Sequence, residues 1–222
     1  MTQHHTALID DDEGLFQPVR EFSEPLDASP EYIRSSPYHE QEHQLQLDTL
    51  DVGYRSLALA LQSFVPVNGN KDYQYEEYEK AFPIKEIVER AQEYSKLLGE
   101  ENLPELTAYV IGFRSILHVE VQESAEKRSI SARIDKGSHT EANISGGLLK
   151  YWFGTPDDEN AKNLATCWWT NREAAKIGGG GKTHREGMAL VKSWYKHWQV
   201  EEYELHVLPR GEGYTFGPVS KR

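Results

Sequence analysis

Apolar residues recur with a clear period only beyond the first 44 positions. Segment 56–65 alternates larger and smaller apolar side chains, a pattern that predicts a strand. In segment 82–98 the apolar positions recur at helical spacing, Pro83 suits a first turn, and Gly99 suits a helix end, so we predict a helix there. Residues 56–98 are therefore expected to form a leading β-α unit.

The segment from Leu106 to Val121 has the strongest strand pattern in the chain. One of its faces carries aromatic and aliphatic side chains, among them Tyr109 and Phe113, and is predicted to face the core. The alternate face is partly polar, because it carries Arg114 and His118. We expect this second face to be open.

The remaining pattern predicts a helix over 123–144, strands over 148–153 and 164–169, a helix that opens at Asn171 and resumes at Thr183, and a strand over 200–208. Residues 106–208 thus follow the split βαββαβ order of ferredoxin-like domains. The predicted fold class is α+β, with one antiparallel sheet, the leading β-α unit in front of it, and a single domain over 45–222.

Charge and proline are concentrated at the start of the chain. Residues 1–44 hold ten acidic and two basic residues and four of the ten prolines, and apolar residues are sparse, which predicts a disordered acidic tail. The net charge of the whole chain is −12, so we expect no duplex nucleic-acid partner.

No window holds an apolar run long enough to span a membrane, and the N-terminus lacks a secretory pattern. The single cysteine, Cys167, excludes an internal disulfide and a zinc site built from several cysteines. It lies mid-strand between apolar neighbours and is expected to be an inert core residue. We expect a cytoplasmic protein.

Four stretches carry a family resemblance: Leu57–Leu61, Tyr109–Ser115, Gly146–Gly154 and Asn163–Trp169. They are similar to an uncharacterised, largely fungal protein family, over about residues 45–208. The family carries no established activity, so the resemblance implies no catalytic residue.

At a coarser level, the βαββαβ order resembles the dimeric α+β-barrel superfamily, which includes antibiotic-biosynthesis monooxygenases, haem-degrading enzymes, polyketide cyclases and stress-induced barrel proteins. This resemblance implies a sheet with helices on one face, whose other face closes over a ligand pocket or a partner sheet. Fold alone does not fix function.

Three residues are candidates for catalysis. Arg114 and His118 share a strand face and would offer a fixed cation and a group that titrates near neutrality to an anionic or enolic ligand. His184 follows the run Gly178–Gly181, whose glycines could allow a mobile lid. The alternatives are an arginine paired to a tail carboxylate, a histidine at a strand end, and a tolerated surface insertion.

Aromatic residues crowd the two strands of the predicted hairpin, and four of them are candidate ligand contacts: Tyr151, Trp152, Trp168 and Trp169. Aromatic side chains on an open sheet face suit a planar ligand or a second subunit, although a packed core would explain part of the set. The nine histidines show no metal-site spacing, so we expect neither a metal nor another cofactor.

The sequence favours a small-molecule-binding, metal-independent enzyme that acts on an aromatic or polyketide-like compound in a pocket on the open sheet face. One alternative is a non-catalytic homodimeric interaction or stress-related barrel protein that pairs through that face. A second is a haem-binding protein, for which His118, His184 and His206 are the candidate axial ligands.

Overall fold

The computed structural model describes residues 20–67 and 72–219. Among these residues, none of the helices combines the length and the apolar character needed to cross a membrane. Their strands are β1 (Tyr32–Arg34), β2 (Gln44–Gln46), β3 (Leu106–Leu117), β4 (Leu148–Phe153), β5 (Lys162–Trp169), β6 (Tyr195–Val207) and β7 (Tyr214–Pro218). Their α-helices are α1 (Val52–Ala60), α2 (Tyr78–Ala81), α3 (Ile84–Leu97), α4 (Val119–Gln122), α5 (Ala125–Ser145), α6 (Arg172–Gly178) and α7 (Lys182–Trp194).

The main sheet has the strand order β4-β5-β3-β6-β7, and every neighbouring pair is antiparallel. In β3, Val110 lies opposite Trp168 of β5 on one side and opposite Tyr203 of β6 on the other. The βαββαβ prediction is confirmed, because β3, β4, β5 and β6 take the ferredoxin-like order and α5 to α7 supply the crossovers. Strand β7 extends the sheet beyond β6.

The strand predicted for 56–65 is wrong. This stretch forms the end of α1 and a 3-10 turn at Leu61–Ser63. Leu57 and Ala58 are both fully buried, so the alternation of large and small side chains does not separate a buried face from an exposed one. A short apolar run does not distinguish a strand from a buried helix, and alanine and leucine favour the helix. Helix α3 confirms the helix predicted for 82–98. The leading unit therefore consists of helices alone.

The N-terminal segment differs from the predicted tail. Residues 1–19 lie outside the described residues, whereas residues 20–44 lie against the domain. Ile33 and Tyr38 are buried, and β1 pairs with β2. Arg90 of α3 donates hydrogen bonds to the carbonyl oxygens of Phe22 (2.8 Å) and Glu24 (3.2 Å). The N-terminal segment has little regular secondary structure, so these hydrogen bonds provide partners for backbone carbonyl groups that a helix or sheet would otherwise supply.

The two faces of the sheet have different neighbours. The core face carries Ala108, Val110, Leu164, Trp168 and Leu205, which pack with α1 and α3 in the main hydrophobic core. The cavity face carries Ile111, Phe113, Ala165, Cys167 and Trp169 and faces α5 to α7. The sequence-based assignment is therefore reversed, because the face expected to be open is covered by α1 and α3. The same cover removes the predicted homodimer interface from that face.

Candidate functional site

A cavity of about 450 Å³ lies between the cavity face and helices α5 to α7. Its floor is formed by alternate residues of four strands and its roof by α7. This volume falls within the range of small-molecule sites. The main side chains of the floor are Ile111, Phe113, Tyr151, Phe153, Ala165, Cys167, Trp169, Trp198 and Val200.

Helix α7 lies across the cavity but does not pack closely against the sheet. Its apolar stripe includes Met188, Val191 and Trp194, all of which line the cavity, yet no residue of α7 is fully buried. A surface helix ordinarily buries such a stripe against the core. The apolar spacing continues to Tyr195 and Trp198, which belong to β6 and also line the cavity.

The glycine run joins α6 to α7 and has a steric cause. A Cβ atom at Gly178 would overlap the ring of Trp169, and one at Gly181 would overlap the carboxylate of Glu141. Gly178 is therefore restricted to glycine by the buried ring of Trp169, whereas a side chain at Gly181 would displace the carboxylate of Glu141. Neither position fits the interpretation as a freely tolerated surface insertion.

The carboxylate of Glu141, on α5, caps the start of α7. It accepts hydrogen bonds from the backbone N–H of Thr183 (2.8 Å), the hydroxyl of Thr183 (2.9 Å) and the backbone N–H of His184 (3.2 Å). Partial burial acts to raise the pKa of Glu141, but these hydrogen bonds outweigh it and hold the pKa below its usual value. The cap fixes the first turn of α7 and so places His184 at the cavity.

The side chain of His184 lines the cavity and is half-buried. Within the described part of the chain, neither of its ring nitrogens has a hydrogen-bond partner. Burial lowers the pKa of His184, the nearby His139 lowers it further, and Glu141 opposes the shift. The imidazole is therefore neutral at physiological pH and can accept a proton.

A second polar group projects from α5. The hydroxyl of Tyr38 donates to Oδ2 of Asp135 at 2.5 Å, and the hydroxyl of Tyr151 donates to Oδ1 at 3.0 Å. Burial acts to raise the pKa of Asp135, but His139 and the two hydroxyls hold it below the usual value. Burial and this carboxylate together raise the pKa of Tyr38 and of Tyr151, so both remain hydroxyl donors.

His139 completes this cluster. Its ring stacks on Tyr151, with the ring centroids 3.6 Å apart. Its Nδ1 lies 2.7 Å from the carbonyl oxygen of Asp135 and 3.5 Å from Oδ2 of the same residue. The sequence-based search missed this pair, although a spacing of four within a predicted helix places both residues on one side. No sequence pattern brings Tyr38 to them.

Arg114 does not line the cavity. It is buried on the core face, where its Nε donates to Oε1 of Glu201 (2.9 Å). Its terminal nitrogens donate to the carbonyl oxygens of Gln74 (2.6 Å) and Glu76 (2.6 Å). The predicted role as a ligand-binding cation is wrong, because the guanidinium joins the sheet to the 72–77 loop. The alternative of pairing with a carboxylate holds, with Glu201 in place of a tail residue.

The other predicted residues divide between the two faces. Tyr151 and Trp169, two of the four predicted ligand contacts, line the cavity. Trp152 and Trp168 belong to the core face, because adjacent strand residues point in opposite directions. His118 precedes α4 and is not part of the cavity lining.

Cys167 also lines the cavity, and burial raises the pKa of its thiol, which therefore stays protonated. Of the three histidines considered for haem, only His184 lines the cavity, since His206 contacts Thr107 and Glu204 elsewhere on the sheet. Across residues 20–67 and 72–219, no three histidine, cysteine or acidic side chains come together in a way that could hold a metal ion.

Solved structures with a similar fold share little sequence with this chain. Rv0793 from Mycobacterium tuberculosis aligns with a TM-score of 0.36 at 12% identity and covers 43% of this chain and 91% of its own. SnoaB from Streptomyces nogalater, a cofactor-independent oxygenase, aligns with a TM-score of 0.34 at 14% identity over 43% of this chain and 89% of its own. Alignments with these identities and TM-scores do not indicate an activity for this chain.

The sequence relatives are far closer. The UPF0643 protein PB2B2.08 from Schizosaccharomyces pombe is 51% identical over 223 residues, which cover 99% of this chain and 100% of that protein. The model of the PB2B2.08-like family matches residues 34–216. The sequence-based resemblance to a fungal family is thereby confirmed, and this chain belongs to the PB2B2.08-like family.

Proposed function

We propose that this protein is a small-molecule enzyme that acts by proton transfer, without a metal, on an aromatic or polyketide-like compound held between the cavity face and α7. The observation that carries the proposal is the unfilled cavity of about 450 Å³ beneath the apolar stripe of an amphipathic helix. Protein interiors are close-packed, so a protein that required only stability would seat this helix on the sheet.

The lining suits a planar ligand. The rings of Phe113 and Trp198 lie 5.8 Å apart on the floor, and Tyr151 and Phe153 lie 5.9 Å apart beside them. Aromatic surfaces of this kind bury a flat apolar ring, and a few polar groups then fix its orientation. The ionisable groups that suit this role are the imidazoles of His139 and His184 and the carboxylate of Asp135, and the lining also holds serine and asparagine side chains.

His184 is the group that moves a proton in this proposal. Its neutral imidazole can take the proton of an acidic C–H or O–H bond of the ligand, whose electron pair then stays on the ligand as an enolate or phenolate. In an apolar cavity, the attraction between the resulting imidazolium and the ligand anion is stronger than in water. Arg114 has no part in this step, because it lies on the other face.

Native mass spectrometry of the protein purified from its own host tests the proposal. We expect a bound planar compound that is lost on mild denaturation. Ala132→Phe, which fills the cavity from α5, should abolish this adduct, whereas His197→Gln, a change at an exposed residue of β6 outside the lining, should retain it. A wild-type protein that carries no compound and binds none from a metabolite extract, or an Ala132→Phe variant that binds equally well, would refute the proposal.

A further inference from the structure

We infer that His139 is a second catalytic residue of this cavity, a general base for the acidic O–H group of a phenol- or enol-type ligand, with Asp135 as its positioning residue. This inference rests on the proposed function and extends it, because it names both the group and the ligand chemistry. It stands on three features of the structure, which are the hydrogen bond at Nδ1, the unpartnered Nε2 and the held ring plane.

The hydrogen bond at Nδ1 determines which ring nitrogen carries the proton. The partner of Nδ1 is the carbonyl oxygen of Asp135, at 2.7 Å, and a carbonyl oxygen can only accept. In the neutral imidazole of His139, Nδ1 therefore carries the hydrogen and Nε2 carries the lone pair. A lone pair on Nε2 is what a general base requires.

The second nitrogen lacks a partner although the residue is buried. His139 is 7% exposed and lines the cavity, and within residues 20–67 and 72–219 its Nε2 makes no hydrogen bond. This nitrogen is not one of the fully buried side-chain atoms that lack a partner among the described residues, so it is open to the cavity that the residue lines. A ligand hydroxyl in the cavity would supply the missing donor.

The ring cannot turn away from this position. It stacks on Tyr151, with ring centroids 3.6 Å apart and an interplanar angle of 25°, and the ring of Tyr38 lies 6.2 Å away on the N-terminal segment. Both tyrosine hydroxyls also donate to Asp135, so the carboxylate is held by the same side chains that hold the imidazole. A base that is fixed before the ligand arrives avoids reorganisation during the reaction.

The proton balance of the step is simple. The ligand O–H bond breaks, an N–H bond forms at Nε2 of His139, and the electron pair remains on the ligand oxygen. The imidazolium then lies beside the Asp135 carboxylate, whose Oδ2 is 3.5 Å from Nδ1, so the positive charge is stabilised from behind. Returning the proton to the ligand, from His139 or from His184, restores the site without an oxidant or a reductant.

The planar phenol 7-hydroxycoumarin tests the inference, because its absorbance distinguishes phenol from phenolate. At a pH one unit below the midpoint of the free probe, we expect the wild type to bind it mainly as phenolate. His139→Gln should bind within about threefold of the wild-type affinity but hold at least fivefold less phenolate, and Asp135→Asn should lower the phenolate fraction in the same direction. His197→Gln, outside the cavity, should match the wild type.

The outcomes separate the two proposals. Retention of the phenolate by His139→Gln would overturn the role of His139 and leave the cavity proposal standing, whereas failure of the wild type to bind any planar phenol would count against the cavity proposal. The tautomer of His139 can be measured without a ligand and without a variant. Nitrogen NMR of the wild-type protein should show hydrogen on Nδ1 in the neutral ring, and hydrogen on Nε2 would overturn the inference.

Discussion

The two faces of the sheet are formed by the same strands, yet they are covered in different ways. On the core face, Trp168 is fully buried and packs edge-on against Phe64, with ring centroids 5.5 Å apart. On the cavity face, Trp198 is half-buried and Val200 is 46% exposed, although both line the cavity beside α7. One covering layer is packed into the sheet, whereas the other leaves space.

On the proposed function, this difference separates the residues that stabilise the fold from those that bind a ligand. Close packing on the core face supplies most of the burial that offsets conformational entropy. On the proposed function, the cavity face can then keep apolar surface and imidazole nitrogens without hydrogen-bond partners, which cost stability and are used when a ligand is bound. Substitutions on the two faces should therefore differ in what they change as well as in how much.

The largest effect is expected for Trp168→Ala. Removing this fully buried side chain should lower the free energy of unfolding by about 4 kcal/mol. Trp198→Ala, at the half-buried position on the cavity face, should cost about 1 kcal/mol or less and should instead weaken binding of a planar ligand. Urea unfolding of both variants measures the contrast, and equal losses of stability would contradict the distinction between the faces.

Arg114→Met comes next, because it removes the only cation that pairs with the largely buried carboxylate of Glu201 among the described residues and leaves it with hydrogen bonds from Gln199 and Tyr203 alone. We expect a loss of about 3 kcal/mol and no change in the affinity of a ligand bound in the cavity. The neighbouring residue of β6, Glu202, forms an exposed ion pair with Arg172 and provides a matched control. Arg172→Met should leave stability almost unchanged. Loss of ligand binding in Arg114→Met without loss of stability would restore Arg114 as a ligand-binding residue.

The sheet could be predicted from sequence, because the alternation of side chains within a strand and the order of strands and helices along the chain are both visible in local sequence patterns. β3, the β4–β5 hairpin and the helix–strand end of the domain all match the predicted pattern. The assignment of faces could not be made in this way. β3 and the β4–β5 hairpin carry apolar residues on both sides, and the side that receives the core is set by α1, misinterpreted as a strand, together with α3.

The candidate site was predictable only in part, for the same reason. Tyr151, Trp169 and His184 were named from local pattern and line the cavity. Arg114 was misplaced because its charge suggested a ligand, whereas the carbonyl oxygens it binds belong to residues about 40 positions earlier. Tyr38 reaches Asp135 across 97 positions, a contact that no spacing rule anticipates.

Glu141→Ala should have a smaller effect that is confined to the cavity face. Loss of the cap on α7 should cost about 1 kcal/mol and should raise hydrogen-exchange rates in the first turn of that helix, with little change in α3. Glu186→Ala removes a surface carboxylate from the same helix, paired with Arg133, and serves as the control. If hydrogen-exchange rates in the first turn of α7 were the same in Glu141→Ala as in the wild type, the cap would be dispensable.

The last effect is seen only below neutral pH and involves His43, which joins the N-terminal segment to α5. Its ring is fully buried, with Nδ1 3.0 Å from the hydroxyl oxygen of Ser36 and Nε2 3.0 Å from that of Thr140. Burial lowers the pKa of His43, and His139 and Lys136 lower it further against the opposing Glu40 and Glu42. Protonation is thus easier in the unfolded chain than in the folded one.

The sign of the pH dependence follows from that difference. Above the ordinary histidine pKa of 6.5, His43 is neutral in both states and the effect is absent. As the pH falls below 6.5, the unfolded chain binds the proton first, so stability declines by at most about 1.4 kcal/mol per pH unit for one histidine.

His43→Gln should reduce the slope of the free energy of unfolding against pH, measured by urea unfolding, between about pH 6.5 and 5. Part of the slope should remain, because burial also lowers the pKa of His184. An exposed-residue control, His197→Gln, should keep the full slope, and an unchanged slope in His43→Gln would show that the buried ring does not couple folding to protons.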